Sequence, residues 1–142
     1  MSNKLLDREC RNVLVIEDDE SIRTCVVEIL RQDGYEVHEA ENGKNGMEML
    51  KTLPGPTLVL LDMMMPVMNG WQFIEAQKKN SKFADISVVV VSATPADRAL
   101  LTSDGALPVE GMLRKPFDPD NLLKVVSGYC VPMNAVEATL AV

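Results

Sequence analysis

Four acidic residues in a row, Glu17, Asp18, Asp19 and Glu20, follow the apolar run NVLVI. A single acid, Asp62, follows the run TLVLL, Ser92 follows ISVVVV, and Lys115 stands just before Pro116 after a short fourth run. Brought together, these groups form a restrictive electrostatic problem. Two carboxylates about 4 Å apart repel by roughly 4 kcal/mol at an effective dielectric near 20. Three cannot all stay ionised unless a cation joins them or a pKa rises. Lys115 supplies one positive charge, and a divalent metal would supply the rest. Carboxylate oxygens, a backbone carbonyl and water are hard ligands that suit magnesium, and no His or Cys lies near them to favour zinc. An Asp beside a metal, a hydroxyl and an ammonium is equipped for phosphoryl transfer. The carboxylate attacks phosphorus in line, while the metal, the Ser92 hydroxyl and Lys115 stabilise the equatorial oxygens. The product is an acyl phosphate, a charge change able to bias a two-state surface.

The elements that would hold these groups alternate along the chain. Residues 12–16 read as a strand. Residues 21–32 carry apolar side chains at Ile22, Cys25, Val26, Ile29 and Leu30, one face of a helix, with Gly34 placed to end it. Residues 35–40 alternate like a half-buried strand, and Asn42-Gly43 turns the chain into a helix ending near Leu53. A Pro-Gly-Pro loop follows. Residues 57–61 and 86–91 read as buried strands, residues 71–80 and 96–103 as helices, and residues 111–114 as a short fifth strand. Asp118 caps a last helix that has Pro119 in its first position. Strands that alternate with helices predict a parallel sheet covered on both faces, and apolar runs without alternation suit strands buried on both sides. Right-handed crossovers then point every strand's C-terminal end the same way, the side where ligands bind in such sheets. Glu17, Asp18, Asp62, Ser92 and Lys115 all fall on that rim.

At 142 residues and 46% hydrophobic, the chain suits one domain with a core of its own. A net charge of −7 argues against a surface for nucleic acid or anionic lipid. The cluster Lys78, Lys79, Lys82 reads as a solvated helix end. The N-terminus lacks the apolar stretch of a signal peptide, and no apolar run approaches the ~20 residues of a membrane span. Three widely spaced cysteines without CxxC argue against a disulfide framework and for reduced thiols in a cytoplasm.

Four segments together resemble the response regulator receiver family of two-component signalling, in particular its chemotaxis-type single-domain members. VLVIEDDESIR is similar to the family's first strand, acid pair and helix start. LVLLDMMMPVMNG is similar to its phosphoacceptor segment, VVVVSA to the strand ending in a hydroxyl, and LRKPF to its lysine-proline segment. The resemblance covers about residues 12–127. It implies a flavodoxin-like (βα)5 three-layer α/β sandwich with sheet order 2-1-3-4-5. The receiver domain would span residues 12–128, between an extension (1–11) and a tail (129–142). Asp62 would be the phosphoacceptor. Glu17, Asp18, Asp62 and the Met64 carbonyl would bind Mg2+, Ser92 and Lys115 the phosphoryl group, and the Lys115–Pro116 peptide would be cis. The phosphodonor would be a sensor histidine kinase or a phosphotransfer protein. The chain would catalyse its own phosphotransfer and dephosphorylation but act on no external substrate. Its downstream target is a protein that the sequence does not name, and neither nucleic acid nor membrane is expected as a direct partner. The tail is left three uses: docking on its own domain, pairing with a second copy in a homodimer, or staying loose.

Several residues carry a plainer reading. Asp19 and Glu20 suit a helix N-terminus, with a supporting role behind the metal ligands left open for Asp19. His38 reads as a surface residue without a catalytic part, Met63, Met64, Met65 and Met68 as packing or, where exposed, a docking surface, and Trp71 as partly buried where its helix begins. The sequence also departs from the family. Met112 stands where many members carry an aromatic switch residue, which puts the usual rotamer switch in doubt. Pro95, Gly105 and Pro108 leave only a short helix before the fifth strand, so that segment is expected to be mobile. Met64 and Thr94 stand where the family tunes water access to the phosphoaspartate. An apolar Met64 offers no base, which predicts slow self-hydrolysis. Two rivals stand beside this reading: a receiver-like module that works without phosphorylation, and a phosphohydrolase with an aspartyl-phosphate intermediate. The intact acid pair, Asp62, Ser92 and Lys115 argue against the first. Met63 and Met64, where a hydrolase would need a second acid, argue against the second.

Overall fold

Strand side chains alternate between the two faces of a sheet, and here both faces are apolar. The computed structural model describes residues 12–53, 56–63, 65, 67–83, 86–92 and 111–130. Its strands are β1 (Asn12–Ile16), β2 (Val37–Ala40), β3 (Thr57–Asp62), β4 (Ser87–Ser92) and β5 (Gly111–Arg114). All pair in parallel, in the order β2-β1-β3-β4-β5. Val13 and Val15 of β1, Leu58 and Leu60 of β3, and Val89 and Val91 of β4 face one apolar cluster. Leu14 and Ile16, Val59 and Leu61, and Val88 and Val90 face the other. The uninterrupted apolar runs are therefore two interleaved core faces.

Helices cover both faces. Helix α1 (Glu20–Gln32) sends Val26, Val27 and Leu30 into the first cluster, beside Leu122 and Val126 of α4 (Pro119–Tyr129). Leu50 of α2 (Gly43–Leu50) and Phe73 and Ile74 of α3 (Gly70–Lys79) fill the second. Each fully buried side chain of this size stabilises the fold by about 1.5–3 kcal/mol. The helix starts are set by side chains that accept from the first turn: Asp19, Asn42, Asn69 and Asp118. Asn69 and Gln72 complete a reciprocal capping box. The flavodoxin-like α/β fold and its strand order are as expected.

The differences from expectation are local. Residues 35 and 36 do not join β2. Gly34, at φ 94°, turns the chain out of α1, and the Tyr35 amide donates to the Leu30 carbonyl at 3.1 Å. Tyr35 thereby closes the helix end, and its hydroxyl reaches across to donate to the buried carbonyl of Cys130 at 2.8 Å. Helix α2 stops at Leu50 rather than Leu53, with the Thr52 hydroxyl donating to the Met49 carbonyl at 2.8 Å. His38 is half-buried and meets the Asn12 side chain at 3.3 Å, so it is more than a surface residue. The expectation of reduced thiols is corrected at Cys130, which is disulfide-bonded to a partner outside the described residues, while Cys25 is free. Spacing along the chain does not report distance in space. Met63 and Met65 are buried and Met68 packs against the second cluster, as expected of packing residues. The short helix expected over residues 96–103 and the mobility expected of its segment lie outside the described residues.

Candidate functional site

The rim begins where each apolar strand runs out of sheet. Glu17 directly follows β1, and its amide donates to the Ala40 carbonyl of β2 at 3.1 Å. Asp62 is the last residue of β3, in register with Val91 of β4. Ser92 ends β4, one position further on, and its carbonyl accepts from the Lys115 amide at 2.8 Å. Lys115 directly follows β5, and its peptide bond to Pro116 is cis. Helix α3 starts close against Asp62. A Cβ on Gly70 would lie 2.7 Å from the Met63 Cα and 3.0 Å from the Asp62 carbonyl oxygen, so only glycine permits this approach.

The side chains converge as the spacing implied. Carboxylate oxygens of Glu17, Asp18 and Asp62 all lie within 4.8 Å of one another. Glu17 and Asp62 are buried and Asp18 is exposed. The Lys115 ammonium donates to Glu17 Oε1 at 2.5 Å and lies 3.6 Å from Asp62 Oδ1. Ser92 is buried. Burial pushes the Glu17 carboxyl upward, but its contact with the Asp62 carboxyl and the Lys115 ammonium outweigh this and hold it below its usual 4.5. Burial likewise pulls the Lys115 ammonium downward. The hydrogen bond to Glu17 and the charges of Asp62 and Glu17 reverse that and hold it above 10.5.

Three carboxylates against one ammonium leave an excess of negative charge. The Glu17 Oε2 atom is also buried without a hydrogen-bond partner among the described residues. A buried carboxylate oxygen with no donor is costly, and a dication with hard oxygen ligands would satisfy it. The donor set therefore fits such an ion: three carboxylates, with no soft ligand among them.

Met64 and Thr94 lie outside the described residues. Met112 is half-buried on β5, in register with Val90, and packs against the second apolar cluster. Two residues that the sequence did not single out also reach the rim. Arg23 of α1 donates through Nη1 to the Glu17 backbone carbonyl at 2.8 Å and through Nε to Glu39 of β2 at 3.1 Å. A polar residue among helical positions carries no signal of such a role.

Comparison with known proteins agrees with this geometry. The sequence matches the response regulator receiver domain family over residues 13–127. It is 37% identical over 135 residues to the phosphate regulon transcriptional regulatory protein PhoB of Escherichia coli, covering 92% of this chain and 57% of that protein. The chain thus spans little more than half the length of that relative. Among solved structures, the chemotaxis response regulator CheY4 of Vibrio cholerae superposes with a TM-score of 0.75 at 27% identity, covering 84% of this chain and 98% of CheY4. The response regulator TrrA of Thermotoga maritima, in complex with Mg2+ and BeF, gives a TM-score of 0.71 at 28% identity, covering 84% and 98%.

Proposed function

The chain belongs to the response regulator receiver domain family, and from that premise we propose that it accepts a phosphoryl group on Asp62 and thereby changes its binding to a partner protein. The donor is a phosphohistidine on a sensor kinase or a phosphotransfer protein. An Asp62 oxygen attacks phosphorus, the P–N bond breaks, and the imidazole departs with the electron pair. Lys115 and Ser92 meet the equatorial oxygens of the moving group. Glu17, Asp18 and Asp62, with the Met64 carbonyl that the family resemblance adds, would hold Mg2+, which would supply positive charge to the transferring group. The gathering of three carboxylates within 4.8 Å carries this reading, and the Mg2+–BeF complex of TrrA supports it.

The receiver spans residues 12–128, flanked by the 1–11 extension and the 129–142 tail. It acts on its own phosphoryl group and on no external substrate. Met64 and Thr94 stand at the sequence positions where the family tunes water access to the phosphoaspartate, and an apolar Met64, which offers no base, makes loss of the phosphoryl group slow. Met112 stands at the family's switch position, packed against the second cluster, and lacks the ring on which the usual rotamer switch depends. Among the described residues no helix is long and apolar enough to cross a membrane, and on this reading the receiver meets its phosphodonor in the cytoplasm.

Incubation with Mg2+ and acetyl phosphate tests the reading by intact mass and peptide mapping. The expected result is one stable phosphoryl group on Asp62, absent from Asp62→Asn and absent in EDTA. No gain in wild type would favour a binding module that works without phosphorylation. Sustained turnover of varied phosphate esters would favour a hydrolase.

A further inference from the structure

Strand β2 supplies no carboxylate to the rim cluster, yet it holds Glu17 at both ends of the residue. The Glu17 amide is bound by the Ala40 carbonyl at 3.1 Å. The Glu17 carbonyl is bound at 2.8 Å by Arg23, whose guanidinium is anchored by Glu39 of β2 at 3.1 Å. The peptide unit that Arg23 grips joins Glu17 to Asp18, so its orientation sets how both side chains leave the backbone. A guanidinium is suited to this task because its planar fork can meet a carbonyl and a carboxylate together. Its side chain is only 14% exposed, so water competes weakly for its bond to the Glu17 carbonyl, while Glu39, 43% exposed, holds it from the solvent side. Glu39 offsets the cation's charge, so the grip does not repel a metal as a free guanidinium would.

We infer that Arg23, tethered by Glu39, is a positioning residue that fixes the β1–α1 turn so that Glu17 and Asp18 present their carboxylates to a divalent cation. The inference rests on the metal reading above. Groups that orient metal ligands typically change affinity by about 10–100-fold when removed. Arg23 acts through a backbone carbonyl, so the lower end is expected.

The test is calorimetric titration of the 142-residue chain with Mg2+, paired with urea unfolding in EDTA. Arg23→Ala should weaken Mg2+ binding by about tenfold, and more than it lowers metal-free stability. Arg23→Lys keeps a single donor nitrogen that cannot span both partners as the guanidinium does, so it should recover part of the loss. Glu39→Gln leaves Arg23 in place without its charged anchor and should weaken binding severalfold, which keeps the test open if Arg23→Ala does not fold. Glu48→Gln, on the same side of the molecule but off this chain of contacts, should bind as wild type. Wild-type affinity in Arg23→Ala or in Glu39→Gln would overturn the positioning role while leaving the metal reading intact. A wild-type protein that binds no Mg2+ would overturn both.

Discussion

Within one step the chain passes from Ile16, the last residue of β1 and fully buried among apolar side chains, to Glu17, also buried but among charges. Strand β3 repeats the change from Leu61 to Asp62. On the apolar side, burial itself stabilises the molecule. On the charged side, burial costs stability and is tolerated because Lys115 offsets part of the charge and a cation can offset more. The interior thus supplies the stability that lets the rim hold carboxylates in mutual repulsion. Substitutions in the two regions should differ in size, and some should differ in sign.

The largest effect belongs to the interior. Phe73→Ala, at a fully buried ring under α3, should cost about 3–5 kcal/mol of unfolding free energy. The loss should be equal in EDTA and in Mg2+ by urea denaturation. A loss that depended on Mg2+ would break the separation of the two regions. Next comes a pair of neighbours that differ in role. Asp19 accepts from the Ile22 amide at 3.1 Å as the cap of α1, so Asp19→Ala should cost about 1 kcal/mol. Among the described residues Asp18 makes no such bond, and it faces two other carboxylates. Asp18→Asn should therefore raise metal-free stability, by a few tenths of a kcal/mol given its exposure, and lower the gain on adding Mg2+. Thermal unfolding of both variants with and without EDTA reads the opposite signs.

The smallest effect is in pH. Glu17 is held below 4.5 in the folded protein. Its contribution is therefore complete above that value and is lost as pH falls through the folded pKa. Lys115 is held above 10.5, so its contribution is complete below that value and is lost as pH rises past the folded pKa. Metal-free wild type should lose stability below pH 4.5 more steeply than Glu17→Gln. Parallel curves from urea melts between about pH 3 and 6 would show that the Glu17–Lys115 contact adds nothing.

Much of this division was legible in the sequence. Uninterrupted Val/Leu runs such as SVVVVS marked strands buried on both faces, and the polar residue ending each run marked the rim. Asp19, Asn42 and Asp118 announced helix starts because cap chemistry is local. What was not legible depends on partners distant in sequence. Tyr35 lies in an alternating segment but closes α1 and bonds to Cys130, 95 positions away. Arg23 looks like any solvated helix residue until β2 brings Glu39 alongside it. The Cys130 disulfide was missed for the same reason.

The central claim, that the rim's surplus negative charge is a site for a dication, is tested most directly by unfolding free energy as a function of Mg2+ concentration. In wild type, stability should rise with the logarithm of Mg2+, by about 2.7 kcal/mol at a hundred times the dissociation constant. In Asp62→Asn the curve should be nearly flat. A wild-type stability indifferent to Mg2+, or an Asp62→Asn protein that gains as much, would contradict it.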